Sequence, residues 1–220
     1  MNKNKVNIDK IIEILSIESK NWKVPVITLI ALQNKDPFKV LISTIISLRT
    51  KDEVTIKSSK RLFKILTKPE DIYNLTTQDI QDAIYPAGFY QRKSIQIKDI
   101  CIKLIEDFNS KVPNEIDTLL EFKGVGRKTA NLVLTEGFQI PAMCVDTHVH
   151  RISNRFGYIK TKTADESEIT LRKKLPLKHW NKYNTVLVAF GQQICKPISP
   201  WCSLCPVKKY CKRINIKQHR

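Results

Sequence analysis

An all-α fold is predicted by three features of this 220-residue sequence. Apolar residues recur at three- and four-residue steps through most of the chain, the spacing that lines one face of a helix. Asp, Ser, Thr and Pro stand where such runs begin, as helix N-caps and first-turn residues do. No convincing run of alternating apolar and polar residues marks a strand, and no internal repeat or low-complexity linker occurs. With 42% hydrophobic residues and only six glycines, the chain reads as globular, ordered and helix-rich.

The elements follow in order. Ile8, Ile11, Ile12, Leu15 and Ile17 give the segment from Val6 to Ile17 a helical pattern. Trp22 to Asn34 is less regular and reads as a connection. Asp36-Pro37 then opens a helix through Leu48, apolar nearly all round and therefore central and buried. Thr50-Lys51-Asp52-Glu53 has capping-box spacing and restarts a helix through Leu62, Phe63 and Ile65. Pro69 begins a short helix, and Thr76 or Thr77 a further one ending near Ile84. Tyr85-Pro86-Ala87-Gly88-Phe89-Tyr90 is a loop with exposed aromatics. A long amphipathic helix then carries Ile97, Ile100, Cys101, Leu104, Ile105 and Phe108. Val112-Pro113 closes it, and the chain enters a pair of helices around Gly124-Val125-Gly126. After Gly137 a loop through Pro141 leads into a helix at Asp146-Thr147-His148. Later helices lie near 166–174 and 180–190.

The charge is strongly one-sided: 38 Lys+Arg stand against 21 Asp+Glu, a net +17. Such an excess suits a polyanion, and nucleic acid is the commonest. A membrane surface is the rival, but no apolar run approaches the roughly 18 residues that a span needs. Met1-Asn2-Lys3-Asn4-Lys5 lacks the apolar stretch of a signal peptide, so a cytoplasmic, nucleoid-associated protein is expected.

Two stretches carry chemistry. In Leu119 to Ala130 the glycines allow a tight hairpin, and the second helix opens with unpaired N–H groups and a positive dipole end, a ready site for a phosphate. Arg127 and Lys128 lie in that first turn, where the dipole disfavours a cation. Basic residues there point to an anionic partner, or to a lysine that benefits from easier deprotonation. The second stretch holds Cys195, Cys202, Cys205 and Cys211, spaced C-x6-C-x2-C-x5-C within 17 residues. Disulfides do not suit an intracellular chain. Four thiolates satisfy either a structural zinc or an iron–sulfur cluster, and the looser x6 and x5 spacing suits a cubane better than zinc, which favours two short pairs. Cys101 and Cys144 read as buried core.

Taken together, these features resemble the endonuclease III family of DNA base-excision glycosylases. The residues that carry the resemblance are Gly124-Val125-Gly126-Arg127-Lys128-Thr129-Ala130-Asn131, then Val145-Asp146-Thr147-His148, then the four-cysteine loop. The resemblance implies two helical domains: a six-helix barrel with a helix–hairpin–helix over 30–140, and a second domain over 1–29 and 141–220 holding a [4Fe–4S] cluster on the four cysteines. It implies a monomer acting on double-stranded DNA with a damaged base or abasic site, excising oxidised pyrimidines and cutting the strand by β-elimination. Lys128 is then the nucleophile that attacks C1′ of an extruded nucleotide and forms a Schiff base. Asp146 assists its proton transfer and stabilises charge on the sugar, although the same residue reads equally as a helix N-cap. Lys123, Gly124, Gly126, Arg127 and Thr129 are expected on DNA through the hairpin, and Lys208 and Lys212 through the cysteine loop. His148 and His150 read as structural or phosphate-facing.

Two positions depart from the family pattern, and the family's loop wedge is carried onto a third. Lys123 stands where the family often has proline, which favours phosphate binding. Arg49 stands where many relatives have glutamine, the residue that fills the gap left by the flipped base. Phe89 takes the place of the loop wedge. Other readings fit less of the chain. Adenine and mismatch glycosylases of the superfamily usually lack the lysine at the Lys128 position. A non-catalytic DNA-binding iron–sulfur module would keep the basic surface and cysteines without requiring both Lys128 and Asp146.

Overall fold

The computed structural model describes residues 6–34 and 36–220, and among them all regular structure is helical. The first five residues, read above for a signal peptide, lie outside the described residues. The chain divides into two compact units, Met1–Pro25 with Pro141–Arg220, and Val26–Ile140. Helix α1 (Ile8–Glu18) belongs to the first. The second comprises α2 (Val26–Asn34), α3 (Pro37–Ser47), α4 (Asp52–Leu62), α5 (Thr77–Ile84), α6 (Tyr90–Phe108), α7 (Ile116–Leu120) and α8 (Arg127–Leu132). The first unit resumes with α9 (Thr147–Phe156), α10 (Ala164–Lys174) and α11 (Trp180–Gln193).

Within Val26–Ile140 the buried centre is α3. Asp36 Oδ1 accepts from the Phe38 amide at 2.9 Å and Pro37 sits in the first turn, so the predicted start is the observed one. Leu41, Ile42, Ile45 and Ile46 are wholly buried, each contributing about 1.5–3 kcal/mol of transfer free energy. Around this helix pack α2, α4, α6 and α8. Helix α2 corrects the expectation of a connection. Its β-branched start, Val26-Ile27-Thr28, has weak helical preference, but Val26, Ile27, Ile30 and Ala31 are all buried, and packing overrides propensity.

A second correction concerns Thr50. The N-cap of α4 is Lys51, with no side-chain cap bond. The Thr50 hydroxyl turns instead to the 85–93 segment, where it accepts from the Gly88 amide and from Lys93 Nζ. A capping box does form one helix later, at the predicted helix start: Thr76 and Asp79 bond each other's backbone amides at the beginning of α5.

The first unit is built on Ile8, Ile11, Ile12 and Leu15 of α1, Val149, Ile152 and Phe156 of α9, and Tyr183, Leu187 and Phe190 of α11, all in one buried cluster. Asp9 and His179 tie α1 to the start of α11 through a 2.8 Å contact.

Candidate functional site

The hairpin forms between α7 and α8. Gly124 has φ +77, and a Cβ there would lie 2.4 Å from Gln96 Nε2, which itself donates to the Lys123 carbonyl at 2.9 Å. Glycine is therefore required at 124 on both backbone and steric grounds. Gly126 is different. Its φ is −93, which any residue adopts, and a Cβ there would meet nothing within 4 Å. Its bare Cα leaves open space at the entrance to α8. Arg127 and Lys128 follow, both exposed, while Thr129, Ala130 and Asn131 turn inward. Lys123 is also exposed, 3.7 Å from Asp99. Helix α8 runs directly into a π-helical turn, Val133–Gly137, with Thr135 Oγ1 donating to the carbonyls of Asn131 and Leu132. Such widened turns recur beside functional sites.

In the same unit Arg49 and Phe89 come together. The Arg49 guanidinium lies 5.6 Å from the centre of the Phe89 ring. Both residues have left-handed backbones, φ 51 and φ 59, and both are exposed. Non-glycine residues seldom adopt this conformation without cause. A Cβ at Gly88 would stand 2.4 Å from the Arg49 carbonyl oxygen, so the two loops touch through glycine. Tyr85, also exposed, packs edge-on against Tyr90 beside this pair.

Asp146, in the first unit, is the N-cap of α9. It accepts from the amides of His148 at 2.9 Å and Val149 at 2.8 Å, and both bonds land on Oδ1. The cap thus uses one oxygen of a half-buried carboxylate. His148 Nδ1 lies 3.1 Å from Arg151 Nη2, and His150 Nδ1 lies 2.7 Å from the Ser167 hydroxyl.

None of the described cysteines is in a disulfide, and Cys101 and Cys144 are buried as expected. Cys195, Cys202, Cys205 and Cys211 line one small cavity together with Phe156, Phe190 and Trp201. Among the described residues no three His, Cys, Asp or Glu side chains draw close enough to hold a single metal ion. Four thiols lining one apolar-walled cavity fit the four-thiolate ligand set of an iron–sulfur cluster. Arg155 of α9 secures the loop: Nη1 donates to Cys195 Sγ at 3.4 Å and to the Lys196 carbonyl at 2.6 Å, and Nη2 to the Pro197 carbonyl at 2.6 Å. The Arg213 amide donates to Cys211 Sγ at 3.4 Å. Burial pushes the Cys205 thiol up to about 12 and raises Cys195 and Cys211 as well, while Arg155 acts in the opposite sense on Cys195. Binding of a metal at such thiols releases their protons. Of the loop lysines, Lys208 is exposed and donates to the Ser203 carbonyl at 3.1 Å. The stem of Lys212 packs over Gly157, the left-handed residue that ends α9.

One residue of consequence escaped the sequence reading. Lys93 lies on the apolar side of α6, 4% exposed, and donates to three oxygens of the segment around Arg49. A lysine four residues ahead of Ile97 on an otherwise apolar face was the available signal.

Comparison with known proteins identifies the family. Residues 42–177 match the family described as HhH-GPD superfamily base excision DNA repair protein. Endonuclease III of Thermotoga maritima is 47% identical over 177 residues, covering 80% of this chain and 83% of that protein. A solved non-covalent endonuclease III–DNA complex superposes with a TM-score of 0.82 at 32% identity, covering 94% of each chain. A trapped endonuclease III–DNA covalent intermediate superposes with a TM-score of 0.76 at 36% identity, covering 81% of this chain and 84% of that one. A helix–hairpin–helix with its lysine, an aspartate capping α9 and a four-cysteine loop therefore stand in a chain that belongs to the HhH-GPD superfamily of base excision DNA repair proteins, within its endonuclease III family.

Proposed function

We propose that this chain is a bifunctional DNA glycosylase and abasic-site lyase that excises oxidised pyrimidines from double-stranded DNA, with Lys128 as nucleophile and Asp146 as its acid–base partner. The observation that carries the reading is the hairpin: an exposed lysine in the first turn of α8, two residues after a glycine whose Cα faces open space. The amides at that turn receive a phosphate of the damaged strand, and Lys123 and Arg127 add positive charge beside it.

The chemistry balances on these groups. The neutral Lys128 amine attacks C1′, a C–N bond forms, and the glycosidic bond breaks with its electron pair going to the base, which takes up a proton. Asp146 accepts the proton lost from the Lys128 nitrogen and offsets positive charge on the sugar. The sugar ring opens to an iminium, which acidifies C2′. Loss of a C2′ proton then expels the 3′ phosphate by β-elimination, and water releases Lys128 from the cut strand. Arg49 and Phe89 fill the space vacated by the extruded nucleotide.

A [4Fe–4S] cluster on Cys195, Cys202, Cys205 and Cys211 supplies a structural cross-link when bound. It fixes a loop whose Lys208 and Lys212 meet phosphates.

Borohydride reduction tests the reading, because it traps the imine as a stable amine. Wild-type protein should be trapped on a duplex carrying an oxidised pyrimidine, and Lys128→Gln should bind that duplex without being trapped. Trapping of Lys128→Gln at wild-type level would assign the lyase chemistry to another amine and sink the proposal.

A further inference from the structure

We propose that Lys93 is a positioning residue that locks Arg49 and Phe89 into one rigid unit for insertion into damaged DNA; this rests on the reading of those two residues as gap-fillers. The Lys93 ammonium is buried and donates to the Ile46 carbonyl at 2.6 Å, the Leu48 carbonyl at 2.6 Å and the Thr50 hydroxyl at 2.9 Å. Three acceptors match the three N–H donors of an ammonium. Two of them are carbonyls at the end of α3, where the helix leaves its last acceptors unpaired and carries its negative dipole end. The Thr50 hydroxyl also accepts from the Gly88 amide at 3.1 Å. Arg49 is therefore bracketed by Leu48 and Thr50, both held by the same nitrogen.

Lys93 fixes the other loop as well. It sits in the first turn of α6, and its own amide donates to the Phe89 carbonyl at 3.0 Å. One side chain thus joins the backbone on either side of Arg49 to the turn that begins at Phe89. Left-handed backbone at two exposed residues persists only where the surroundings enforce it. Folding gains nothing from a phenylalanine held out to solvent, 55% exposed, beneath a guanidinium. A preformed pair, however, meets the gap in the duplex without first ordering two loops. Burial pushes the Lys93 ammonium down to about 8 through desolvation.

Binding is the measurement, on two duplexes alike except that one carries a tetrahydrofuran abasic analogue. Arg49→Ala/Phe89→Ala should lose on the order of tenfold in affinity for the analogue duplex, the scale of one lost stacking contact. Lys93→Met should lose a similar factor there, with the undamaged duplex, held through phosphates, changed less than about twofold. Added to Arg49→Ala/Phe89→Ala, the Lys93 substitution should cost nothing more, because its effect passes through those residues. Lys93→Arg, which keeps the charge and the donors, should recover part of the loss. Thr50→Val preserves shape at a half-buried position and should show a smaller loss with the same non-additivity, so the test survives a Lys93→Met protein that does not fold. Additive losses, or equal losses on both duplexes, overturn the proposal. If Arg49→Ala/Phe89→Ala binds the analogue as wild type does, the gap-filling reading itself fails. If that variant is impaired while Lys93→Met and Thr50→Val are not, only the role of Lys93 fails.

Discussion

Asp146 is the residue whose proposed chemistry can be separated from its observed part in the fold. Both cap bonds of α9 land on its Oδ1, so the cap needs one acceptor oxygen and not a negative charge. Asparagine caps a helix about as well as aspartate. Asp146→Asn should therefore melt close to wild type while losing the proton acceptor and the charge beside the sugar. Base removal should fall by on the order of a hundredfold or more if general-base help and charge stabilisation both go. Cutting at a pre-formed abasic site should fall less, because an aldehyde meets a neutral amine without base expulsion. Asp146→Ala should show the same catalytic loss and, in addition, cost about 1 kcal/mol of stability through the lost cap. Single-turnover excision by Asp146→Asn at the wild-type rate would reduce Asp146 to a cap alone.

The helix–hairpin–helix gives its two glycines separate tasks. Gly124 serves the turn, with φ +77 and the Gln96 amide against its missing side chain; Gly126 leaves room. Gly124→Ala should cost about 1–2 kcal/mol from the left-handed backbone alone, with the Gln96 bond to the Lys123 carbonyl lost as well. Gly126→Ala should leave the melting temperature unchanged and still weaken DNA binding, because the new methyl stands where a phosphate must approach the α8 amides. Equal melting with undiminished binding would remove Gly126 from the interface. These elements also show what the sequence made legible. Asp36, Thr76 and Asp146 begin helices as read, because a capping side chain acts on amides two or three residues away. Helix α2 was hidden because its apolar residues surround it almost evenly and its helicity depends on burial in the Val26–Ile140 core. Thr50 misled because its hydroxyl answers to Gly88 and Lys93, some forty residues away in sequence. Lys93 went unread for the same reason, since no local pattern tells a lysine aimed at carbonyls from one in water. The hairpin, its lysine and the cysteine spacing were legible because each is a local motif; the strained pairing of Arg49 with Phe89 is a tertiary fact.

At the scale of the whole molecule, a net charge of +17 makes attraction to DNA general rather than local, and under the proposed function the cysteine loop places part of that charge. Metal analysis should find four irons per chain and little zinc; stoichiometric zinc without iron would overturn the cluster. Lys208 is the cleaner probe of the loop, since its ammonium is exposed and held only to the Ser203 carbonyl among its described hydrogen bonds, whereas Lys212 also packs over Gly157 and its removal would disturb the end of α9. Each phosphate contact contributes about −0.9 to the slope of log affinity against log salt. Lys208→Ala should thus weaken binding to damaged and undamaged duplexes alike and flatten that slope by about one unit. Its excision rate at saturating enzyme should stay at the wild-type level, because Lys128 and Asp146 are untouched. A salt slope identical to wild type would separate this loop from the phosphates and leave the cluster a purely internal brace.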